Sequence, residues 1–203
     1  MYDNAEGSTP QEKINSMRRM LAQQKGGKVN ITEQAIDKVK AIKIKGYSDD
    51  ALIQIQSMNK EILKVSKERN SSNEVAMIWS KESGISKALL GDKEHVDPDG
   101  DVEFSALLRR APFRSLVLSH NHPSTSYFSC EDVGYFVSHP SIKTIEVVTN
   151  KGKTWHITKN EKYNDLEVLQ KYKDIIKENQ GTEIDKIVDL FLDSIYDCTE
   201  RNR

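Results

Sequence analysis

Apolar residues recur every three or four positions through the first seventy residues and again after Asn160, and between those stretches they run together or alternate as strands do. Near the start, Thr9-Pro10-Gln11-Glu12 is a capping box with proline at the first helical position. It predicts a helix that Gly26-Gly27 stops. Asn30 or Thr32 caps a second helix, striped by Ile36, Val39 and Ile42 and ended by Gly46. Ser48 caps a longer third, whose stripe is Leu52, Ile55, Ile62 and Val65, with lysines and glutamates on its other face.

The pattern then changes period. Residues 74–80, EVAMIWS, read as a strand, and Lys81-Glu82-Ser83-Gly84 as a hairpin turn into ISKALLG. After a polar loop, Val102 to Arg110 forms a short helix with Phe104, Leu107 and Leu108 toward the sheet, and Arg109, Arg110 and Arg114 form a solvated basic edge. Ser115 to Ser119 is an apolar strand run. Thr144 to Thr149 is a β-branched strand, Asn150-Lys151-Gly152 turns it, and Thr154 to Thr158 pairs back, with Trp155 on the core. Two helices close the chain. Tyr163, Leu166, Leu169 and Ile176 stripe the first, Gly181 with Thr182 breaks and recaps, and Ile184, Ile187, Val188, Phe191 and Ile195 stripe the second. That last face is too wide to leave in water, so it is expected to pack on the N-terminal helices or on another chain. The fold class is α/β, a mixed central sheet flanked by helices.

Composition narrows the function classes. The 203 residues carry 30 Lys and Arg against 31 Asp and Glu, a net charge of −1, which gives no electrostatic footprint of a nucleic-acid binder. The length suits one compact domain with extensions or two small ones. No apolar run reaches the length of a membrane span or a signal sequence. With only two cysteines, Cys130 and Cys198, far apart in sequence, the reading is a cytoplasmic, reduced, soluble protein.

The candidate chemistry sits in residues 115–137, SLVLSHNHPSTSYFSCEDVGYFV. Side chains two apart on a strand point the same way, so His120 and His122 can aim both imidazoles at one point, and Pro123 stops the strand. Ser129 is the expected N-cap of the next helix, which puts Asp132 in its first turn, able to turn back toward the strand end. Two imidazoles and a carboxylate leave a tetrahedral Zn²⁺ one open position for water, the arrangement of catalytic sites; structural zinc sites are commonly closed by cysteines. Each part also has a plain reading. Ser129-x-x-Asp132 is a capping box, and a His-x-His pair can be ordinary surface. Together they favour a metal. The loop GDKEHVDPDGD, residues 91–101, has alternate acids but not the EF-hand spacing, so it is not read as a calcium site.

His120-Asn121-His122-Pro123-Ser124 followed by Ser129-x-x-Asp132 resembles the signature of the JAMM (JAB/MPN) zinc metalloproteases, and the wording SHNHPS is closest to the bacterial RadC-like branch. Six residues separate His122 from Ser129, where the family usually has seven. The resemblance implies a JAMM/MPN-like, cytidine-deaminase-like core over residues 72–160, a helical N-terminal extension over 1–71 and a C-terminal helical extension over 161–203. It implies one Zn²⁺ per chain held by His120, His122 and Asp132. Glu74, on the first core strand just after a long helix, takes the position of the family's general base, with Glu82 and Glu103 as other choices. Ser129 takes that of the oxyanion donor. Apart from the resemblance, the polar 91–101 loop is read as a flexible loop near the active site, able to touch substrate. The implied activity is hydrolysis of a peptide or isopeptide bond, deubiquitinase-like in form, on a protein or ubiquitin-like substrate, with the helical extensions serving an oligomer or a partner protein. Two other classes stand beside it. One is a RadC-like protein tied to DNA repair or mobile elements without peptidase activity. The other is a non-catalytic MPN scaffold, against which the retention of all three ligands argues.

Overall fold

The computed structural model describes residues 27–202; the helix expected after Thr9 lies outside the described residues. Three layers result, a seven-stranded mixed sheet with helices on both faces.

Helix α1 (Glu33–Lys38) starts at the expected cap, Thr32, whose side chain accepts the Ala35 N–H. It stops well short of Gly46. Val39 is already extended, and the side chains of Val39 and Ile44 are buried, Val39 in the cluster with Ile55 and Ile62. Helix α2 (Asp49–Arg69) is capped by Ser48 and buries the whole expected stripe, with Met58, Asn59, Leu63 and Ser66 added to it. That face lies on strands β1 (Val75–Ser80) and β4 (Leu116–His122), where Ile55, Ile62 and Leu63 pack with Val75, Met77, Trp79 and Val117.

The sheet order is β2-β1-β4-β5-β6-β7, with the two-residue strand β3 (Leu89–Leu90) also on β1. Strand β2 (Gly84–Ile85) returns from the expected turn antiparallel to β1. Strand β4 runs antiparallel to β1 and parallel to β5 (Ile142–Thr149), so β4 and β5 need a crossover, which helix α4 (Cys130–Ser138) provides. Strand β6 (Thr154–Lys159) pairs back on β5 as predicted. Strand β7 (Thr199–Arg201) then adds itself to β6; three residues after a helix carry no alternation by which to predict it.

The second face is covered by α3 (Val102–Arg110), α4, α5 (Asp165–Glu178) and α6 (Ile184–Ser194). Its core joins Ile78, Leu116, Leu118, Ile145 and Val147 of the sheet to Phe104, Leu108, Val133, Phe136, Val188 and Phe191. Val188, Phe191 and Leu192 of α6 and the following Ile195 are therefore buried in this core, on the sheet face opposite α1 and α2. Three local expectations are corrected. Leu166 is 80 % exposed, because α5 turns Val168 inward instead. Thr182 does not cap α6, whose N-cap Glu183 makes no side-chain bond. Arg114 is no solvated edge: its guanidinium donates to the Asn160 and Tyr163 carbonyls and to Asp165 Oδ2, tying the start of β4 to the turn before α5.

Candidate metal centre

Strand β4 separates its side chains by period. Leu116, Leu118, His120 and His122 face the α4 layer, while Ser119 and Asn121 face α2. The apolar run thus buries the strand, and the two histidines emerge at its C-terminal end, 5 % and 2 % exposed. Pro123 and the following turn bring the chain to Ser129, the N-cap of α4. The capping box forms: Ser129 Oγ accepts the Asp132 N–H at 3.2 Å, and Asp132 Oδ2 accepts the Ser129 N–H at 2.6 Å.

The cap does not exhaust Asp132. Its Oδ1 lies 2.9 Å from His120 Nε2 and its Oδ2 3.3 Å from His122 Nε2, and the two Nε2 atoms are 3.0 Å apart. The plain reading of Ser129-x-x-Asp132 and the metal reading both hold, since the cap is what turns this carboxylate toward the strand. Burial alone would raise the Asp132 pKa, but His120 and His122 outweigh it and hold the carboxyl well below the usual range. One ligand atom from each of the three buried residues lies within 4.8 Å of the others, a group that could hold a metal ion. His122 Nδ1 lies 3.1 Å from Ser126 Oγ and 3.4 Å from the Ser126 carbonyl, contacts that orient the ring with Nε2 toward the centre.

Glu74 precedes β1, is 3 % exposed, and lines the same cavity as the triad. Its place is held by the other side of β4. Asn121 Oδ1 accepts the Val75 N–H at 2.8 Å, and its Nδ2 donates to the Asn73 carbonyl at 3.1 Å and to Asn150 Oδ1 at 2.8 Å, so the peptides flanking Glu74 are bound to the residue between the two histidines. Ser129 also lines the cavity. Glu82 and Glu103 do not. Glu82 is in the exposed turn after β1, and Glu103 pairs with Lys87 at 2.9 Å on the surface.

Four further polar residues line the cavity that sequence reasoning did not single out as site residues: Glu94, His95, Glu131 and Tyr135. His95 Nδ1 lies 3.0 Å from Glu131 Oε2, and that bond raises the His95 pKa. Glu131 stands beside the triad in sequence, but His95 is brought in by a loop whose path no periodicity marks. Cys130, next to Ser129, offers no rival nucleophile, because burial pushes its thiol up to about 12. The alternate acids of residues 91–101 serve the loop itself, with Asp97 Oδ1 accepting the Asp99 and Gly100 N–H groups and the Tyr135 hydroxyl. Among the described residues no helix is long and apolar enough to cross a membrane. No protein-family model, curated protein or solved structure matches the chain.

Proposed function

We propose that the chain is a zinc-dependent hydrolase of peptide or isopeptide bonds, of the JAMM/MPN kind its His-x-His-Pro and Ser-x-x-Asp segments resemble. The convergence of His120 Nε2, His122 Nε2 and Asp132 carries the reading. Their separations of 2.9, 3.0 and 3.3 Å are close to the ~3.3 Å that ~2.0 Å bonds to a tetrahedral ion impose on its ligand atoms. Two imidazoles and a carboxylate also suit the borderline-soft character of zinc. When bound, zinc supplies a Lewis acid and lowers the pKa of water toward neutrality.

The chain's own residues do the rest. Glu74 takes a proton from the attacking water and returns it to the leaving nitrogen as the C–N bond breaks. Ser129 Oγ already accepts the Asp132 N–H, which leaves its hydroxyl hydrogen to donate to the oxygen on which charge develops. The test is a zinc assay together with Glu74→Gln on isopeptide-linked ubiquitin-like chains and peptides. One zinc per chain is expected in parent and variant alike, with hydrolysis lower by about 10²–10⁴-fold in the variant. A variant that keeps full activity would remove Glu74 from its role, and a zinc-loaded parent that cleaves nothing would leave a metal-binding scaffold.

A further inference from the structure

The end of the sheet opposite the metal centre holds a second, larger cleft. It lies beside Arg114, just before β4 begins, and so ~20 Å along the strand from His120. The cleft leaves about 450 Å³, within the range of small-molecule sites, and is formed by the loop before α2, the start of β5 and the end of β6.

Its charge is one-sided. Lys45, Arg114, Lys143, Lys159 and Lys162 line it against Glu161 and Glu200. In a chain of net charge −1 that is a local excess, and a concave wall concentrates its field. The inner pair is not neutralised by its own partner. Arg114 Nη2 and Lys159 Nζ bond the two oxygens of a single carboxylate, Asp165, at 3.0 and 3.1 Å, and the Lys159 side chain is fully buried. Burial lowers the Lys159 pKa, Asp165 only partly offsets it, and Arg114 adds to the fall, so this wall holds positive charge that its surroundings leave uncompensated. On the β5 side, Lys143 Nζ is held 4.5 Å from the centre of the Tyr47 ring and 3.5 Å from the Gly46 carbonyl oxygen, with no carboxylate partner among the described residues. Lys45 meets Glu200 only at 3.9 Å, and Lys162 is exposed. With Asp165 counted, cations exceed carboxylates by two, about the charge of one phosphomonoester at neutral pH.

We infer that this cleft binds the phosphate group of a small molecule, a phosphomonoester or a diphosphate, through Lys45, Lys143 and Lys162, with Arg114 and Lys159 supplying positive field behind them. Lysines suit the task as mobile point charges, and each contact to phosphate is charge-assisted. Glu161 and Glu200 favour a compact anion over a long polyanion, whose further charges they repel. The inference does not depend on the metal-centre reading.

An NMR titration of the metal-free, full-length chain with inorganic pyrophosphate at constant ionic strength tests it. Saturable amide shifts are expected at residues 45–46, 143 and 158–162. Lys143→Gln should lower the affinity about tenfold, the loss of one charge-assisted contact, and Lys143→Arg should keep it within about threefold of the parent. Glu200→Gln removes a negative charge from the wall and should raise the affinity about threefold, a gain that a damaged fold would not give. Lys40→Gln/Lys43→Gln changes two exposed lysines outside the cleft, measures general screening, and should leave the affinity unchanged. Flotation with phosphatidylcholine vesicles containing phosphatidic acid separates two carriers of the same group. Capture that Lys143→Gln abolishes assigns the phosphate to a lipid headgroup, and pyrophosphate binding without capture assigns it to a soluble molecule. Shifts that fail to saturate, or that Lys40→Gln/Lys43→Gln weakens as much as Lys143→Gln does, would reduce the cleft to surface charge and overturn the inference. Saturable shifts at His120, His122 and Asp132 in place of the cleft would overturn it too, by giving the anion to the other end of the sheet.

Discussion

Strand β4 bears two buried polar clusters, one on each side of the same sheet, built from alternate residues of one short run. On the α2 side, Ser119 Oγ donates to Asn59 Oδ1 at 2.6 Å and Asn59 Nδ2 to Glu146 Oε2 at 2.7 Å. On the α4 side, His120 and His122 meet Asp132. In the first cluster donors and acceptors alternate, so hydrogen bonds close it. In the second, three groups able to give lone pairs point at one place, which is the arrangement a cation satisfies. Burial is nearly the same on both sides, so burial does not distinguish a group that could hold a metal from one closed by hydrogen bonds. The complementarity of the groups does. The carboxyls show the same contrast: Asp132 is held well below the usual range by its imidazoles, while burial pushes Glu146 up to about 7, with Asn59 only partly offsetting it.

The largest effect expected on either side is at the ligands. His120→Ala or His122→Ala should weaken zinc binding by more than about 100-fold, measured by chelator competition, without unfolding the chain, because apolar clusters on both faces form the core around the site. Zinc retained at parental affinity would erase the difference between the two clusters.

Glu146→Gln probes the other side. The native fold holds this proton more tightly than the unfolded chain does, so the parent loses stability as pH rises from 4.5 to about 7. The variant has no charge to bury. Relative to the parent it should gain on the order of 3 kcal/mol at pH 8, and the gain should vanish below about pH 4.5. His156, the cross-strand partner of Glu146, is itself lowered to about 4 by burial and acts in the opposite sense, so the difference between variant and parent is the informative quantity. Denaturant unfolding at the two pH values measures it, and a difference independent of pH would show Glu146 to be an ordinary carboxylate.

The smallest effect is at Ser129. Ser129→Ala removes a helix cap worth about 1 kcal/mol, a fall of about 2–4 °C in Tm. Zinc affinity should change far less than with the histidines, because Asp132 Oδ2 bonds the backbone N–H of residue 129, which alanine keeps. A fall in affinity as large as theirs would make the hydroxyl part of the metal site.

Much of this was legible in the chain because it depends on neighbours in sequence. The α2 stripe, the caps at Thr32, Ser48 and Ser129, the α3 boundaries and the aim of His120 and His122 follow from helical and strand periods and from side chains that bond a backbone N–H two or three residues on. What failed was where one local pattern met a competing partner. The α1 stripe stops at Lys38, where Val39 turns extended, and Val39 and Ile44 are buried outside the helix. Arg114 looked like surface until Asp165 and two carbonyls from a turn some fifty residues on closed around it.

By itself, then, the sequence determined the α/β layering and the three candidate ligands, since a strand of period two, a proline stop and a capping box put two imidazoles and a carboxylate within one turn's reach of each other. Only the tertiary structure decided the rest of the site. Glu74 joins it through Asn121, which binds the peptides on either side of it from the neighbouring strand. His95 joins it through Glu131, on a helix reached only after β4. The α6 stripe packs in the core on the sheet face opposite α1 and α2. The physical reason is the same each time. Local bonds are set by spacing along the chain, whereas these contacts are set by strand order and register, and no period in the sequence records which strand will lie beside which.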